Sequence, residues 1–308
     1  MDDNITYIEE DTFSELDYNS DPLLRIIASI LLFILVLFGV FGNLALIHII
    51  ANKWRIQTSF NLFIANIALA DILITVAMTS FLLSHMFFGE FIYGEIVCKI
   101  IVFLNYFGPN LTTFSIIMAL VVLQFEVIGF KYSSIAIGIT YIISSPVGVL
   151  YANFAKIIKI DANSESESVQ IEHCIEDFPN YETQINVEYF GNFFIIVLPI
   201  ICLIFYFFLK TLSKCTKYKI LPGFPQEKLI VLLAILNTFV WILMLEIGFL
   251  SQVLETSIYL LLFIAHTTIG FSIILKPILY ALLHEGFKKE LKVIVGWKTN
   301  AVDRAQLF

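Results

Sequence analysis

Charge is scarce in this chain. Only 14% of its 308 residues are charged, against 59% hydrophobic ones. Soluble domains carry about a quarter charged residues, so this deficit excludes an ordinary soluble protein or a disordered chain. Basic residues are scarcer than acidic ones: 18 Lys and Arg face 26 Asp and Glu, for a formal net charge of -8. Nucleic acid, whose phosphates need a basic surface, is therefore not an expected partner. Four cysteines, none spaced as CxxC, are too few to staple a small scaffold. The histidines (His48, His85, His173, His266, His284) are scattered, and no nucleophile–base set, phosphate loop or HExxH is present. No catalytic residue, metal or cofactor is expected, and an enzyme reading has no support. The first 22 residues carry acids where a cleavable signal peptide has bases, and the first apolar run is too long for its core.

What the chain does have is long apolar runs. A helix needs about 20 mostly apolar residues to cross the hydrocarbon core of a bilayer. Seven runs satisfy this, at about 23–50, 60–87, 96–129, 132–154, 189–213, 228–252 and 257–284. Transmembrane β-strands would instead show short alternating segments. The fold class expected is an all-α membrane protein, a seven-transmembrane helix bundle over 23–284. An acidic extracellular tail (1–22) precedes it, and 285–308 follows as a short amphipathic cytoplasmic helix and tail.

Lys and Arg sort to one side of these spans. Thirteen fall after the first span, between the third and fourth, between the fifth and sixth, and after the seventh; only Arg25, Lys99, Lys156 and Lys159 fall on the other side. Basic residues mark cytoplasmic loops, which puts the N-terminus outside and the C-terminus in the cytoplasm. Acids sort the other way: eight lie before Asp21 inclusive and eight more between Asp161 and Glu188. They are either a solvated surface or an electrostatic funnel for a cationic partner.

Motifs spaced one per run carry a family resemblance. They are Gly42-Asn43 in FGNLALI, the stretch NLFIANIALAD ending at Asp71, FGEFIYGEIVC ending at Cys98, and Cys174 in the next outer loop. Pro199, Trp241, Lys276-Pro277-Ile278-Leu279-Tyr280 and Glu285-Gly286-Phe287-Lys288-Lys289 follow in order. The chain resembles a rhodopsin-like (class A) G-protein-coupled receptor over nearly its whole length, most like peptide, neuropeptide or chemokine receptors. The resemblance implies a Cys98–Cys174 disulfide, and these are the only two cysteines on the predicted oxidising side. It also implies an activation switch built from Trp241, Pro199, Pro277 and Tyr280. After Tyr280, Phe287, Leu291, Ile294 and Val295 fall near helical spacing between lysines, as in a helix lying on anionic membrane lipid.

The departures from the family pattern bear on mechanism. The acid-Arg-Tyr triplet at the inner end of the third span is Val122-Leu123-Gln124, and the loop beyond it, around Gly129 and Lys131, is shortened to a tight connection. The proline two residues after Trp241 is Leu243, whereas Pro109 stands inside the third span. Asp71 aligns with the family's sodium-binding aspartate, and its usual asparagine partner in the seventh span is Lys276. A charge at that depth is expensive. The expectation is an ion pair in place of the sodium ion, with Asn43, Thr112, Ser272 and Trp241 nearby. The alternative is that Lys276 snorkels to the inner interface.

Ligand classes separate by position. Asn105 stands where amine receptors carry an aspartate, and Gly270 where visual pigments carry the retinal lysine. The resemblance suggests Asn105, Tyr106, Glu246 and His266 as pocket residues. Asn4 opens a glycosylation sequon, and Tyr7 and Tyr18 lie among acids, as sulfated tyrosines do. The expected function is a cell-surface receptor for an extracellular, cationic peptide or chemokine-like protein, coupling weakly or constitutively to a heterotrimeric G protein. One alternative is a non-signalling decoy or scavenger, such as a virus-captured chemokine-receptor homologue. A channel or transporter is the other, and no internal repeats support it.

Overall fold

The structure is a computed structural model that describes residues 22–53, 57–84, 88–125, 130–164, 167–215, 225–254, 258–284, 286–288 and 291. Seven helical rods make up most of it. Helix α1 runs through Pro22–Ile34, a wide π stretch Leu35–Val40, and Phe41–Asn52. Then come α2 (Ser59–Leu83), α3 (Gly94–Phe125) and α4 (Phe130–Phe154). Strands β1 (Ala155–Ser164) and β2 (Glu167–Glu176) form an antiparallel hairpin. Helix α5 comprises Tyr181–Asn192, a π stretch Phe193–Val197 and Leu198–Cys215; α6 is Pro225–Leu254 and α7 is Ile258–Leu283.

Each of the seven contains a stretch long and apolar enough to span a membrane. Side-chain placement is the reverse of a soluble protein's. Ile96 and Ile142 are 77% and 71% exposed, whereas Asn43, Asp71, Thr75 and Asn110 are fully buried. Such a surface suits lipid, in which every backbone polar group must find its partner within its own helix. Hydrogen bonds and close van der Waals packing then hold the helices together.

Local signals start the helices. Thr58 caps α2 by accepting the Asn61 N–H, and Asn180 caps α5 by accepting the Thr183 N–H at 2.7 Å. The Asn180 cap explains why α5 begins eight residues before the apolar run expected at 189: its first turns are polar and pack against α4. Gly94 opens α3 with φ +78°, a conformation that suits glycine.

Helix α3 is the central rod, packed against α2, α4, α5, α6 and the hairpin. Its crossing with α4 is tight at Gly148, where a Cβ would lie 2.8 Å from the Phe103 carbonyl oxygen. Two apolar clusters close the ends of the bundle. One gathers Phe91, Ile101, Val147, Tyr151 and Val187 beneath the hairpin; the other gathers Ile50, Phe63, Leu229, Leu233 and Tyr280 at the opposite end. Between them lies a polar belt.

The close crossing yields a first test. Gly148→Ala should destabilise the protein by about 1–3 kcal/mol, because the backbone carbonyl facing it must move. Gly138 has nothing within 4 Å of its would-be Cβ, so Gly138→Ala should be neutral or stabilise by up to about 1 kcal/mol. Thermal unfolding of the two variants in one detergent compares them directly.

Candidate functional site: a buried ion pair beneath a hairpin-covered acid

The polar belt centres on α2 and α7. Asp71 is fully buried, Lys276 is 5% exposed, and the Lys276 ammonium donates to Asp71 Oδ1 at 2.6 Å. Lys276 therefore lies inside the bundle and does not snorkel to an interface. Thr75 Oγ1 donates to the Asp71 carbonyl at 2.7 Å, and Asn43 Nδ2 donates to the Gly39 carbonyl at 2.7 Å. Helix α1 comes close here, since a Cβ on Gly42 would stand 3.4 Å from Pro277 Cγ. Asn43, Thr112 and Ser272 are all buried. Asp71 Oδ2, Asn43 Oδ1 and Thr112 Oγ1 have no hydrogen-bond partner among the described residues. A single ammonium thus satisfies one carboxylate oxygen and leaves polar capacity in the belt. Trp241 packs beside it against an apolar group that includes Val240 and Ile273.

At the hairpin end, a Cys98–Cys174 disulfide joins α3 to β2 with a Cα–Cα distance of 5.7 Å. Two further hydrogen bonds seat the loop after α2 under the hairpin. Ser84 Oγ donates to the Glu90 carbonyl, and the Phe91 N–H donates to the Glu172 carbonyl at 2.6 Å. Below the disulfide, the Tyr106 hydroxyl donates to Glu176 Oε2 at 3.0 Å, and the Tyr106 ring stacks on Tyr151 at 3.4 Å. Burial pushes the Glu176 carboxyl up to about 7; the Tyr106 hydrogen bond opposes the shift and the Glu188 carboxylate adds to it. Asn105 is half-buried on the same helix, and His266 stacks on Phe81 with centroids 6.5 Å apart. The Glu246 side chain lies outside the described residues.

At the opposite end, Val122 is buried, and Leu123, where the family's arginine would stand, packs against the apolar core. Gln124 lies outside the described side chains, as do Gly129 and Lys131. Tyr280 is fully buried between His284, stacked at 4.9 Å, and Phe287, edge-on at 4.8 Å. His284 Nδ1 accepts the Phe287 N–H at 3.1 Å, and its Nε2 lies 3.4 Å from Asn61 Nδ2. That acceptor role requires Nδ1 to carry no proton. Phe287 and Leu291 turn into the bundle core, which leaves less of the expected stripe for lipid. Pro199 is buried and follows the π stretch of α5. Asn4, Tyr7 and Tyr18 lie outside the described residues.

Glu176 and the hairpin were not anticipated from sequence. A signal was there: two runs, AKIIKIDANS and ESVQIEHCIE, separated by two residues. The density of acids hid it. Those acids are also less free than a plain funnel requires, since Lys159 pairs with Glu172 at 3.0 Å and Lys156 with Asp177 at 2.5 Å. His284 and its contact with Asn61 were likewise missed.

A seven-helix membrane bundle with a hairpin tied by disulfide to its central helix defines a receptor architecture. Comparison with known proteins agrees. The sequence model of the 7 transmembrane receptor (rhodopsin family) matches residues 42–280. Human neuropeptide Y receptor type 2 is 24% identical over 283 residues, covering 83% of this chain and 72% of that receptor. Its pig (Sus scrofa) counterpart is 25% identical over the same shares. Probable G-protein coupled receptor 19 of Mus musculus is 34% identical over 97 residues, 32% of this chain and 23% of that protein. This chain belongs to the rhodopsin family of seven-transmembrane receptors. It is a multi-pass membrane protein of a receptor family and not an enzyme.

The ion pair can be tested for stability directly. Lys276→Met leaves an uncompensated buried carboxylate and should cost about 3–5 kcal/mol. Adding Asp71→Leu to Lys276→Met should recover most of that loss. A double-mutant cycle on melting temperature measures the coupling, and additive losses would show that the two charges do not stabilise one another.

Proposed function

We propose that this chain is a cell-surface receptor, with its N-terminus outside, that binds an extracellular cationic peptide or small protein and couples weakly or constitutively to heterotrimeric G proteins. The observation that carries the reading is the family match across residues 42–280, together with relatives named as neuropeptide Y receptors. Orientation rests on the sorting of Lys and Arg, which makes the hairpin end extracellular. The acids of the first 22 residues and the hairpin would then raise the encounter rate of a basic ligand. Asn105, Tyr106, Glu246 and His266 are the proposed pocket residues, and Trp241, Pro199, Pro277 and Tyr280 the proposed switch. Glycosylation at Asn4 and sulfation at Tyr7 and Tyr18 belong to the same reading.

Weak coupling is supported by Val122-Leu123-Gln124, since an apolar Leu123 packed on the core offers no charge to a cytoplasmic partner. The Asp71–Lys276 pair supports it independently. A lysine ammonium beside Asp71 fills the role of a sodium ion and ties α7 to α2. The packing of Leu123 also favours a second reading, a receptor-derived decoy that captures ligand without signalling.

Two measurements test these readings. Reconstituted with a G protein, the receptor should bind neuropeptide Y or a basic chemokine yet stimulate nucleotide exchange only weakly above its basal rate. Strong ligand-stimulated exchange would falsify the weak-coupling reading, and no exchange despite binding would favour the decoy. Separately, replacing N-methylglucamine with sodium at constant ionic strength should leave the wild-type melting temperature unchanged. It should raise that of Lys276→Asn, because a ligand that binds the folded state stabilises it. A sodium-dependent wild type would sink the lysine-for-sodium substitution.

A further inference from the structure

Glu176 is a half-buried acid, and among the described residues no cation pairs with it. Its hairpin neighbours are provided for: Lys156 holds Asp177 at 2.5 Å and Lys159 holds Glu172 at 3.0 Å. Among the described residues Glu176 has one polar contact, the Tyr106 hydroxyl on Oε2 at 3.0 Å. Among the described residues, the helices around it offer aromatic rings and further negative charge. Helix α3 contributes Tyr106 and α4 contributes Tyr151, whose ring lies against Tyr106 at 3.4 Å. Helix α5 contributes Glu188, itself held by the Gln184 amide at 2.9 Å. The adjoining hairpin positions hold Asp177 and Lys156, already paired with one another. A carboxylate partly withdrawn from water without a counter-ion is costly, and a cation arriving from outside would relieve that cost.

We propose that Glu176, flanked by the rings of Tyr106 and Tyr151, is the anchor for a guanidinium group carried by the ligand. The chemistry selects this class of cation. A guanidinium is planar, forms paired hydrogen bonds to a carboxylate and stacks on aromatic faces, and it is more weakly hydrated than an ammonium. Tyrosine faces add cation–π attraction in a site partly withdrawn from water. The cation would compete with the Tyr106 hydroxyl for one carboxylate oxygen and take the other outright. The inference rests on the receptor reading for the ligand's being extracellular, while the subsite itself follows from the side chains.

The carboxyl titrates near pH 7, which fixes the sign of the pH dependence. Above that pH the carboxylate is ionised and attracts the guanidinium; below it the acid is neutral and the attraction is lost. Between pH 8 and pH 6 the ionised fraction falls about tenfold, and affinity should fall with it.

The test uses the purified full-length chain in lipid nanodiscs, with acetyl-arginine amide as probe and acetyl-citrulline amide as its uncharged analogue of like shape. Acetyl-arginine amide should bind saturably at pH 8 and about tenfold more weakly at pH 6, whereas the citrulline compound should bind at neither. Glu176→Gln should abolish binding. Its amide oxygen still accepts the Tyr106 hydroxyl, so the melting temperature should hold. Glu188→Gln should retain binding with its midpoint moved to lower pH. Equal binding of the two probes overturns the proposal, as does a Glu176→Gln variant with wild-type affinity and pH profile, or no saturable binding of acetyl-arginine amide. Nucleotide exchange reports on the receptor reading alone. Arginine-amide binding without exchange by any ligand would leave the subsite standing, and peptide-driven exchange without it would leave the receptor standing.

Discussion

A carboxylate and an ammonium 2.6 Å apart in the middle of an apolar bundle are the constraint on which the rest of the structure depends. Neither charge is tolerable there alone, because hydrocarbon and packed side chains solvate ions poorly. Each requires the other, and together they require α2 and α7 to keep one register. Such a pair gives little net stability against a well-packed apolar substitute. It gives definition instead: sliding or rotating α7 by one residue would leave Asp71 without a cation.

The α2–α7 seam carries further contacts on either side of the pair. Toward the hairpin, Phe81 stacks with His266; toward the opposite end, His284 meets Asn61. These contacts fall about ten residues apart along α2, so α7 is held near both ends as well as at its centre. The hairpin does the same for α3, through the disulfide at Cys98 and the Tyr106–Glu176 hydrogen bond two turns below it. Helices α2, α3 and α7 therefore form a braced unit. The two long π stretches among the described residues lie outside it, in α1 and α5, where wider turns loosen the hydrogen-bond ladder.

The architecture was legible in the sequence because bilayer thickness is a blunt requirement: seven runs of apolar residues have few other uses. The Asp71–Lys276 pair was expected from the resemblance, which sets the two at partner positions, together with the cost of a lone charge at that depth. The Cys98–Cys174 bond came from the resemblance as well. Glu176 was not legible. Its carboxylate is one of many acids in a polar stretch, and nothing local says that the antiparallel register places it under the disulfide and over Tyr106. The early start of α5 was hidden likewise, because the Asn180 cap and polar first turns carry no apolar signal. In the segment after α7, Phe287 and Leu291 pack on the bundle core, with the Phe287 ring edge-on to Tyr280.

The bracing also limits where a signal could travel. On the receptor reading, an event at the hairpin end must move something at the end where Leu123 and Tyr280 lie. Helix α7 is a poor candidate, since its displacement would break a buried ion pair and leave two uncompensated charges. Helix α6 is held more lightly. Among the described residues its polar link to α3 is one buried hydrogen bond, from Asn237 Nδ2 to Thr113 Oγ1 at 3.2 Å, and neutral bonds of this kind contribute only about 1 kcal/mol net. Yet α6 lacks the proline after Trp241 that would give it a hinge, so it would have to move as a rod. Pinned α7, unhinged α6 and an apolar Leu123 are thus the three features on which the proposed weak coupling rests.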